Sequence, residues 1–515
     1  MEPALTPAQM RRFDQAAIAA GVRGAELMDR AAHACAVSTL RLWGGAYGRR
    51  AVIVCGKGSN GGDGYGAARH LARAGATVTV LELQPPIGDA ATHREMLRGL
   101  PGVRVLRWDR TAFERATAGA HAVVDAVFGT GFTGEPTGVA REAMVAMGEA
   151  RVPVVSVDIP SGVDGSTGAV TGAAVRADVT VAIQALKVGH VAVPGSLRCG
   201  RIDVADIGID VGDASVWVPG AADVAEVLPP LEEDTHKYRV GALGVLAGSE
   251  GMTGAAVLVA RAALRSGAGL VVLGLPRSSL DVVEAAVPEA VKVGLPDAEG
   301  RLGAKAFDEF ADRLPKLSGL AIGPGLGRGP GPVELVARAL ETDLPLVVDA
   351  DGLWALAEVG SDAMSSRGAA TVLTPHGGEA ARLLGRELGP DRLAAARELA
   401  SSWRSVVHLK GRRAVTAAPD GTCWVNVTGN PGLATGGTGD VLTGVAGALV
   451  ARGADPAAAT WAAAWLHGTA GDIAAARLGR SAMAAGDVVD ALPLALRRTS
   501  RRTPPYPMRT VVEAP

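Results

Sequence analysis

Short runs of consecutive apolar residues recur along the chain and alternate with segments of helical periodicity. In the first half, amphipathic patterns at residues 7–20 and 24–42 precede apolar runs at residues 51–55, 77–83, 103–108, 122–127, 152–157 and 178–183. A run that is apolar at nearly every position predicts a strand buried on both faces, as in a parallel sheet that helices cover on either side. The first half is therefore predicted to be an α/β domain with three αβα layers.

The texture of the sequence changes between residues 211 and 240, where prolines and the polar stretch Glu232-Glu-Asp-Thr-His-Lys237 interrupt the pattern. Segments of that composition commonly separate domains, so we predict domains at residues 1–227 and 228–500. A second α/β series then has apolar runs at residues 243–247, 270–275, 319–322, 344–348, 370–373 and 406–409, a β-hairpin at residues 413–427, and alanine-rich helices at residues 440–451, 456–476 and 485–496. Residues 501–515 contain several prolines and are predicted to be a tail without regular structure.

Length, charge and cysteine usage narrow the class of protein. The chain has 515 residues, which is too many for one ordinary hydrophobic core. Its formal net charge is −2 and no long basic stripe appears, so nucleic-acid binding has no electrostatic support. The four cysteines are scattered without a CxxC pair, the N-terminus has no apolar signal region, and no apolar run reaches membrane-spanning length. These features predict a soluble, cytoplasmic protein with reduced thiols and no membrane partner.

A glycine-rich segment near the C-terminus carries the strongest chemical signal. It reads Asn430-Pro-Gly-Leu-Ala-Thr-Gly-Gly-Thr-Gly-Asp440 and leads into an apolar run, residues 441–450, that predicts a buried helix. Successive glycines let backbone N–H groups converge on an anion at the start of a helix. Asp440 lies beside those amides and is predicted to take a proton from a substrate hydroxyl as a phosphoryl group arrives. No P-loop lysine follows, so this is not a Walker motif; the alternative is a glycine turn that only feeds a core helix.

Three loops follow strands of the first half and are predicted to meet at one edge of its sheet. Residues 56–64 contain GxGxxG, but Asp63 stands near the predicted helix start, where a carboxylate repels a dinucleotide pyrophosphate. The alternative role for Asp63 is a helix N-cap. Asp125, with a second glycine loop, and Asp158 end two further strands. Ligands bind at the carboxyl edge of open α/β sheets, so we predict a ligand site there in preference to three unrelated turns.

These motifs resemble the NAD(P)H-hydrate epimerase family. The resemblance rests on Asn60-Gly-Gly-Asp-Gly64, Gly129-Thr-Gly-Phe-Thr-Gly134, Asp158-Ile-Pro-Ser-Gly162 and Ala185-Leu-Lys-Val-Gly-His190, and covers about residues 5–215. It implies a Rossmann-like domain that epimerises C6 of hydrated NADH or NADPH, with Asp158 as the proton-transfer residue. It also implies a potassium ion held by Asn60, Asp125 and Ser161. The residues that the resemblance implies as substrate contacts are Ser59, Asn60, Gly61, Gly62, Asp63, Gly129, Thr130, Gly131, Phe132, Thr133, Gly134, Glu135 and Asp158.

The second half carries further glycine and charged motifs at predicted strand ends. They are Gly248-Ser-Glu-Gly-Met-Thr-Gly254, Gly323-Pro-Gly-Leu-Gly327, Asp349-Ala-Asp-Gly352, Thr374-Pro-His-Gly-Gly-Glu379 and Lys410-Gly-Arg-Arg413. His376 is predicted to face a ligand, although a hydrogen-bonded core histidine is the commoner case. The donors of residues 410–413 suit a nucleotide phosphate, with a solvated surface cluster as the alternative.

This second set resembles the ribokinase-like, ADP-dependent NAD(P)H-hydrate dehydratases over about residues 230–498. The resemblance implies ADP as phosphoryl donor with Mg²⁺, restored NAD(P)H as product, and release of AMP and phosphate. Trp354 departs from the family at a position where asparagine is common, and Gly377 stands where proline is usual. A homo-oligomer is expected. The implied contacts of the hydrated cofactor are Ala255, Gly325, His376 and Asp440, and those of the adenine nucleotide are Lys410, Gly411, Arg412, Arg413, Ala414 and Gly439.

Two other functions stay open at this point. A vitamin or sugar kinase with an accessory domain would use the glycine–Asp440 site but leaves the motifs around Asn60 and Asp158 unexplained. A non-enzymatic dinucleotide-binding module in the first half would not require a carboxylate at position 158.

Overall fold

The structure, a computed structural model, describes residues 1–212 and 214–499 and the backbone of residues 508–512. The chain forms two compact units. The N-terminal unit comprises Glu2–Trp217 and the strand at residues 508–512, and the C-terminal unit begins at Val218. Along the described residues, no helix is both long and apolar enough to cross a membrane.

The N-terminal unit alternates strands with helices. Its strands are β1 (Glu2–Leu5), β2 (Arg50–Cys55), β3 (Thr77–Glu82), β4 (Val103–Arg107), β5 (Ala122–Ala126), β6 (Val154–Val157), β7 (Val179–Ile183), β8 (Leu186–Lys187) and β9 (Arg201–Ala205), and β10 (Val216–Val218) lies where the units divide. Its helices are α1 (Pro7–Ala19), α2 (Gly24–Trp43), α3 (Ser59–Arg73), α4 (Asp89–Glu95), α5 (Arg110–Thr117), α6 (Gly138–Glu149) and α7 (Val188–Val191).

The main sheet of this unit is parallel and covered on both faces. The strand order is β9-β7-β6-β5-β2-β3-β4, and each neighbouring pair is parallel. Consecutive strand residues enter different cores: Ile53 and Val124 pack in a cluster with residues of α2 and α3, while Val52 and Val123 pack with residues of α5 and α6. This arrangement confirms the predicted αβα layering, and it brings the ends of β2, β5 and β6 to one edge.

The C-terminal unit has the same layered organisation. Its strands are β11 (Ala242–Leu246), β12 (Leu270–Pro276), β13 (Val291–Leu295), β14 (Asp297–Ala298), β15 (Arg301–Leu302), β16 (Gly319–Ile322), β17 (Leu346–Val348), β18 (Thr371–Leu373), β19 (Val406–Leu409), β20 (Val415–Ala417) and β21 (Cys423–Val425). Its helices are α8 (Ala221–Val227), α9 (Lys237–Val240), α10 (Thr253–Arg265), α11 (Leu280–Glu284), α12 (Ala304–Phe310), α13 (Pro330–Leu340), α14 (Asp351–Val359), α15 (Gly377–Leu384), α16 (Arg392–Ser402), α17 (Thr438–Ala451), α18 (Pro456–Leu478) and α19 (Ala485–Thr499).

In the C-terminal unit too, parallel strands bring their carboxyl ends to one edge of the sheet. The order β13-β12-β11-β16-β17-β18-β19 is parallel throughout, and β20 and β21 extend it as the predicted antiparallel hairpin. The core between the sheet and α10, α17, α18 and α19 is rich in alanine and valine. Small side chains allow these helices to approach one another closely, which suits a chain with few aromatic residues.

One sequence prediction is wrong for part of the C-terminal tail. Residues 508–512 form a strand, β22 (Met508–Val512), that pairs antiparallel with β9. An edge strand presents a row of N–H and C=O groups, and a tail with enough length can satisfy them. The remainder of the predicted tail lies outside the described residues.

Candidate active sites

The first candidate site begins at the glycine loop between β2 and α3. A Cβ atom on Gly56 would lie 2.1 Å from the carbonyl oxygen of Val127, and one on Gly61 would lie 1.9 Å from the carbonyl oxygen of Gly56. These contacts exclude any side chain and hold the first turn of α3 against the ends of β2 and β5. The helix begins at Ser59 with Gly58 as its N-cap, so the alternative role of Asp63 as N-cap is wrong. Asp63 is the fifth residue of the helix and is half-buried.

Asn60 and Asp125 lie beside this loop and are buried. The Nδ2 atom of Asn60 has no hydrogen-bond partner among the described residues, and its Oδ1 lies 3.2 Å from where a Cβ on Gly129 would stand. Asp125 accepts bonds from the Oγ atoms of Ser156 at 2.8 Å and Ser161 at 2.5 Å, and from the backbone N–H of Ser161 at 2.9 Å. Burial raises the pKa of Asp125, while these bonds act against that rise.

Asp158 ends β6 in a strained conformation. Its φ is +65°, in the left-handed region that a residue other than glycine rarely adopts. The Nζ atom of Lys187 lies 2.5 Å from Asp158 Oδ1, and the ring Nε2 of His190 lies 2.7 Å from the Asp158 carbonyl oxygen. Because the backbone N–H of Lys187 donates to His190 Nδ1, Nε2 carries the proton of that ring. Burial alone would raise the pKa of Asp158, but the Lys187 ammonium group outweighs it and holds that pKa below its usual value.

The second glycine loop, residues 129–135, begins beside Asp158. The backbone N–H of Thr130 points to Asp158 Oδ2 at 3.4 Å. Phe128 and Phe132 stack with ring centroids 4.7 Å apart and stiffen the loop. Of the predicted substrate contacts, Gly129, Thr130 and Phe132 are half-buried there, whereas the outer members of the loop are exposed: Gly131, Thr133, Gly134 and Glu135.

Lys187 and Asp14 are residues of this site that the sequence did not reveal. Lys187 has 1% of its surface exposed, although it lies in an otherwise apolar segment. A lysine in such a segment is a usable signal, because a buried ammonium group requires a carboxylate partner. Asp14 lies on α1, far from the motifs in sequence, and nothing about its neighbours distinguishes it from a surface residue. Burial raises the pKa values of both Asp14 and Asp63.

The second candidate site is built around the start of α17. Gly437 is the N-cap with φ +89°, and Asp440 lies in the first helical turn. The helix itself is almost wholly buried, so the turn cannot withdraw from the sheet edge. Burial, reinforced by the Asp349 carboxylate, raises the pKa of Asp440 to about 6. A carboxylate with a pKa near neutrality is suited to accept a proton.

Lys410 links this helix to the central strands. Its Nζ atom lies 2.6 Å from Oδ1 of Asp349, which ends β17 and is buried. Thr443 of α17 donates to the other carboxylate oxygen at 2.6 Å. A Cβ on Gly439 would lie 3.5 Å from the Lys410 Nζ, so these two predicted nucleotide contacts are neighbours. The Asp349 motif was recognised in the sequence, but its role as the partner of Lys410 was not.

The predicted contacts of the hydrated cofactor come from two loops and two helices: Gly325 follows β16, His376 follows β18, Ala255 lies on α10 and Asp440 on α17. A Cβ on Gly325 would stand 2.8 Å from the Met252 carbonyl and 3.0 Å from the Ala255 Cβ, and its φ of +64° also favours glycine. His376 is 61% exposed in its side chain and caps α15, accepting the N–H groups of Gly378 and Glu379 through Nδ1. The alternative of a core histidine is therefore wrong.

Arg412 and Arg413 follow Lys410 but differ in their surroundings. Arg412 is exposed, whereas Arg413 has φ +52° and donates to the Val427 carbonyl at 3.0 Å. Arg392 donates to the carbonyl of Lys410 at 2.8 Å, beneath Gly411. Ala414 is buried at the start of the hairpin. Hydrogen bonds from Arg392 and Arg413 to backbone carbonyl oxygens therefore hold the loop at residues 410–414. The alternative of a solvated surface cluster applies only to its exposed part, such as Arg412.

Comparison with known proteins gives both halves of the chain a family. A family model described as NAD(P)H-hydrate dehydratase matches residues 243–494, and one described as YjeF-related protein N-terminus matches residues 24–189. A bifunctional NAD(P)H-hydrate repair enzyme of Moorella thermoacetica is 42% identical over 465 residues, 87% of this chain and 88% of that protein. The enzyme of the same name from Salinibacter ruber is 36% identical over 95% of each chain. The ADP/ATP-dependent NAD(P)H-hydrate dehydratase of Bacillus subtilis, crystallised with ATP and Mg²⁺, is 32% identical, with a TM-score of 0.49 over 55% of this chain and 99% of that one.

Proposed function

The chain belongs to the family of bifunctional NAD(P)H-hydrate repair enzymes, and from this premise we propose which unit and which residues perform each step. The N-terminal unit, residues 2–217, interconverts the R and S epimers of hydrated NADH and NADPH at C6. The C-terminal unit, which begins at Val218 and so ten residues before the boundary predicted from the sequence, uses a nucleotide to remove the added water from the S epimer. The first step feeds the second, because the dehydratase accepts one epimer and spontaneous hydration supplies both.

For the epimerase, we assign proton transfer to Asp158. Its support is the ion pair with Lys187, which keeps the carboxylate ionised at a sheet edge that also carries Asn60, Asp63 and Thr130. Ser59 to Asp63 and Gly129 to Glu135 bind the hydrated nicotinamide nucleotide. The backbone of Asp158 is strained, and such strain is found at functional sites where the orientation of a side chain has to be fixed.

A potassium ion fits the group formed by Asn60, Asp125 and Ser161. The donor set consists of oxygen atoms, as a hard monovalent cation prefers. Asp125 is a buried carboxylate that forms no ion pair with a described side chain, and the Ser161 Oγ lies 2.5 Å from its Oδ1. A bound cation would neutralise part of that charge and fix the two loops. It would thereby order the substrate site without taking part in proton transfer.

For the dehydratase, the observation that carries the assignment is the position of Asp440 in the first turn of α17 near the Lys410–Asp349 pair, where burial raises its pKa to about 6. Asp440 takes the proton of the C6 hydroxyl while that oxygen attacks the terminal phosphoryl group of the nucleotide. Phosphorylation turns a poor leaving group into a good one, and loss of phosphate restores the dihydropyridine. Ala255, Gly325 and His376 hold the hydrated cofactor in front of Asp440.

The nucleotide lies along Lys410 to Ala414 and Gly439 in this proposal. Lys410 is held by Asp349 and Glu379, with Nζ–oxygen distances of 2.6 and 3.7 Å, and so presents a fixed cation to a phosphate. Mg²⁺ commonly binds through substrate phosphates and one or two carboxylates. Glu379, whose Oε2 lies 3.7 Å from the Lys410 Nζ, is the carboxylate at this edge suited to that role, and the ion would neutralise phosphate charge. ADP, rather than ATP, is the donor that we propose.

One assay tests the whole function. The protein is incubated with a mixture of R and S hydrates, with ADP, with ATP or with neither, and regenerated NADH is followed by absorbance. Full conversion with ADP supports both steps, whereas conversion of only the S fraction would leave the binding-module role for the N-terminal unit. Consumption of nucleotide with a vitamin or sugar and not with the hydrate would favour the kinase alternative. A homo-oligomer and a cytoplasmic location remain expectations.

A further inference from the structure

A cluster of four ionisable side chains lies at the substrate edge of the N-terminal unit. It consists of Asp14 on α1, Asp63 on α3, Asp158 after β6 and Lys187 on β8. His190 adds no charge at neutral pH, because burial and then Lys187 lower its pKa to about 4. Asp158 is buried and Asp14 and Asp63 are half-buried, so one ammonium group cannot neutralise all three carboxylates, and at least one carboxyl group is expected to keep its proton.

Lys187 forms its ion pair with Asp158. Its Nζ lies 2.5 Å from Asp158 Oδ1 and 2.6 Å from the carbonyl oxygen of Ile183. The backbone N–H groups of Ile183 and Thr130 approach the two Asp158 oxygens at 3.4 Å each. Asp158 is thereby fixed as the ionised carboxylate, and Oδ2, which Lys187 does not contact, is the oxygen that faces a substrate proton.

Asp63 has the opposite environment. The groups that act on it are the carboxylates of Asp158 and Asp14, the Lys187 ammonium and the thiols of Cys35 and Cys55. Burial first, and Asp158 next, raise its pKa well above the usual value, while burial also keeps both thiols neutral. The position of Asp63 is fixed, since a Cβ on the adjacent Gly64 would stand 2.6 Å from that of Ala126. Asp63 and Asp158 therefore belong to one site but have pKa values shifted in opposite directions. Such a difference is usual for a catalytic acid and its partner base.

The substrate offers a reaction for such a pair. C6 of the hydrated nicotinamide carries a hydroxyl group and is bonded to the ring nitrogen N1, so it is a hemiaminal carbon. A hemiaminal can open to an aldehyde and an amine and close again on the opposite face. Resting on the proposed epimerase function, we propose that Asp63 is a second catalytic residue, the proton donor to N1, that Asp158 takes the hydroxyl proton, and that Lys187 positions Asp158.

The step balances without any further reactant. Asp158 accepts the proton of the C6 hydroxyl, and the oxygen electron pair forms the C6=O bond of an aldehyde. The C6–N1 bond breaks, its electron pair goes to N1, and Asp63 donates its proton there. After rotation about the C5–C6 bond, N1 attacks the other face of the aldehyde, Asp63 takes back the N1 proton, and Asp158 returns its proton to the oxygen. The product is the other epimer, and both carboxyl groups are restored.

Isotopes distinguish this route from its competitors in the wild-type protein. Ring opening retains the C6 oxygen and the C6 hydrogen. Loss and return of hydroxide would introduce ¹⁸O from labelled water at the rate of epimerisation, and removal of the C6 hydrogen would introduce deuterium from D₂O. We expect neither label in the product above the level of an enzyme-free control. Uptake of either label at the epimerisation rate would overturn the proposed step.

The role of Asp63 is tested in the full-length chain with Asp63→Asn, a nearly isosteric change that removes the proton donor. We expect the kcat for interconversion of the R and S epimers to fall by ~10²–10⁴, with ADP-dependent repair of the S epimer unchanged. The matched control is Asp109→Asn, on the exposed N-cap of α5, where asparagine caps equally well. Epimerisation by Asp63→Asn at the wild-type rate would refute its role, whereas a wild-type protein that does not epimerise would refute the proposed function itself.

Lys187 is tested by the pH dependence of epimerisation, at a fixed potassium concentration. In Lys187→Gln the Asp158 carboxylate loses its cation, so the acidic limb of the rate profile is expected to move to higher pH by at least one unit. Lys187→Arg keeps the positive charge and is expected to hold the limb closer to its wild-type position. An acidic limb unmoved in Lys187→Gln would show that Lys187 does not position Asp158.

Discussion

Each of the two sites contains a lysine paired with a buried aspartate, but Lys187 pairs with the proposed base itself whereas Lys410 pairs with another carboxylate. In the N-terminal unit Lys187 pairs with Asp158, the base itself, and keeps it ionised. In the C-terminal unit Lys410 pairs with Asp349 and leaves Asp440 among other carboxylates, where its pKa rises to about 6. The same pair of residue types therefore produces a permanently charged base in one site and a base that titrates near neutrality in the other.

The difference fits the chemistry that each site performs. In the proposed ring opening Asp158 takes and later returns the hydroxyl proton, so it must be ionised when the substrate binds and must lie beside a partner acid. A dehydratase must take a proton from a hydroxyl group next to an anionic phosphoryl donor. Asp440 must be ionised for this step, and its raised pKa makes it a stronger base than a carboxylate of ordinary acidity.

The largest effect is expected from Asp440→Asn. The change removes the base but keeps its shape, so dehydration of the S epimer should fall by ~10²–10⁴. Interconversion of the epimers should continue, because we assign that step to the N-terminal unit. Regenerated NADH measures the first activity and chromatographic separation of the epimers the second. Turnover of the S epimer near the wild-type rate would remove Asp440 from the mechanism.

Asp158→Asn should produce the reciprocal split. Repair of the R epimer should slow to the rate of spontaneous epimerisation, while ADP-dependent repair of the S epimer is unchanged. Folding damage would be expected to lower both activities, so the S epimer serves as the internal control. If repair of the R epimer persists at the wild-type rate, Asp158 has only a structural role at the end of β6, and the N-terminal unit is better described as a binding module.

The two sites also differ in how tightly their glycine loops are packed. An added Cβ on Gly61 would lie 1.9 Å from a backbone oxygen, whereas one on Gly439 would meet Lys410 Nζ at 3.5 Å, an ordinary contact. Gly61→Ala should therefore distort the loop, lower the melting temperature and abolish epimerisation. Gly439→Ala should leave the melting temperature within about a degree or two and raise the KM for ADP, because the methyl group occupies space next to the lysine. Gly58→Ala, with open space around its Cβ, is the matched control.

The smallest effect concerns independence of the units. A fragment that ends near residue 225 should fold and epimerise alone, since its sheet, loops and charge cluster are all supplied by residues 2–217. It lacks β22, so the edge of β9 is uncovered, and a slightly lower melting temperature than that of the full chain is expected. Fragments that are insoluble at every end point between residues 215 and 235 would argue for a shared core.

The sequence was a good guide wherever a local pattern dictates the structure. Valine-rich runs such as residues 51–55 and 122–127 became buried parallel strands, and the glycines before Asp440 became the start of a buried helix. The predicted site residues also reach the expected strand ends. Their pairings could not be predicted, because Lys187 with Asp158 and Lys410 with Asp349 are set by strand order and register, which no local pattern records.

The misses have the same physical origin. Asp14 joins the first site from α1 through tertiary packing, and β22 pairs with β9 across a separation of about three hundred residues. Asp63 resembled an N-cap, but the N-cap of α3 is Gly58, five residues earlier, because helix boundaries are the least reliable part of a prediction from sequence. A buried lysine in an apolar run is the one signal that was present and unused, since it requires a partner carboxylate.

The pH dependence of the two activities in one preparation tests the difference between the bases most directly. With background rates subtracted and substrates saturating, we expect dehydration of the S epimer to rise with pH through about 6, as Asp440 ionises, and to fall roughly tenfold per pH unit below it. Epimerisation should be insensitive to pH across the same range, because Lys187 keeps Asp158 ionised well below it. Parallel profiles for the two activities, or an epimerisation rate that titrates near pH 6 while dehydration stays constant, would contradict the account.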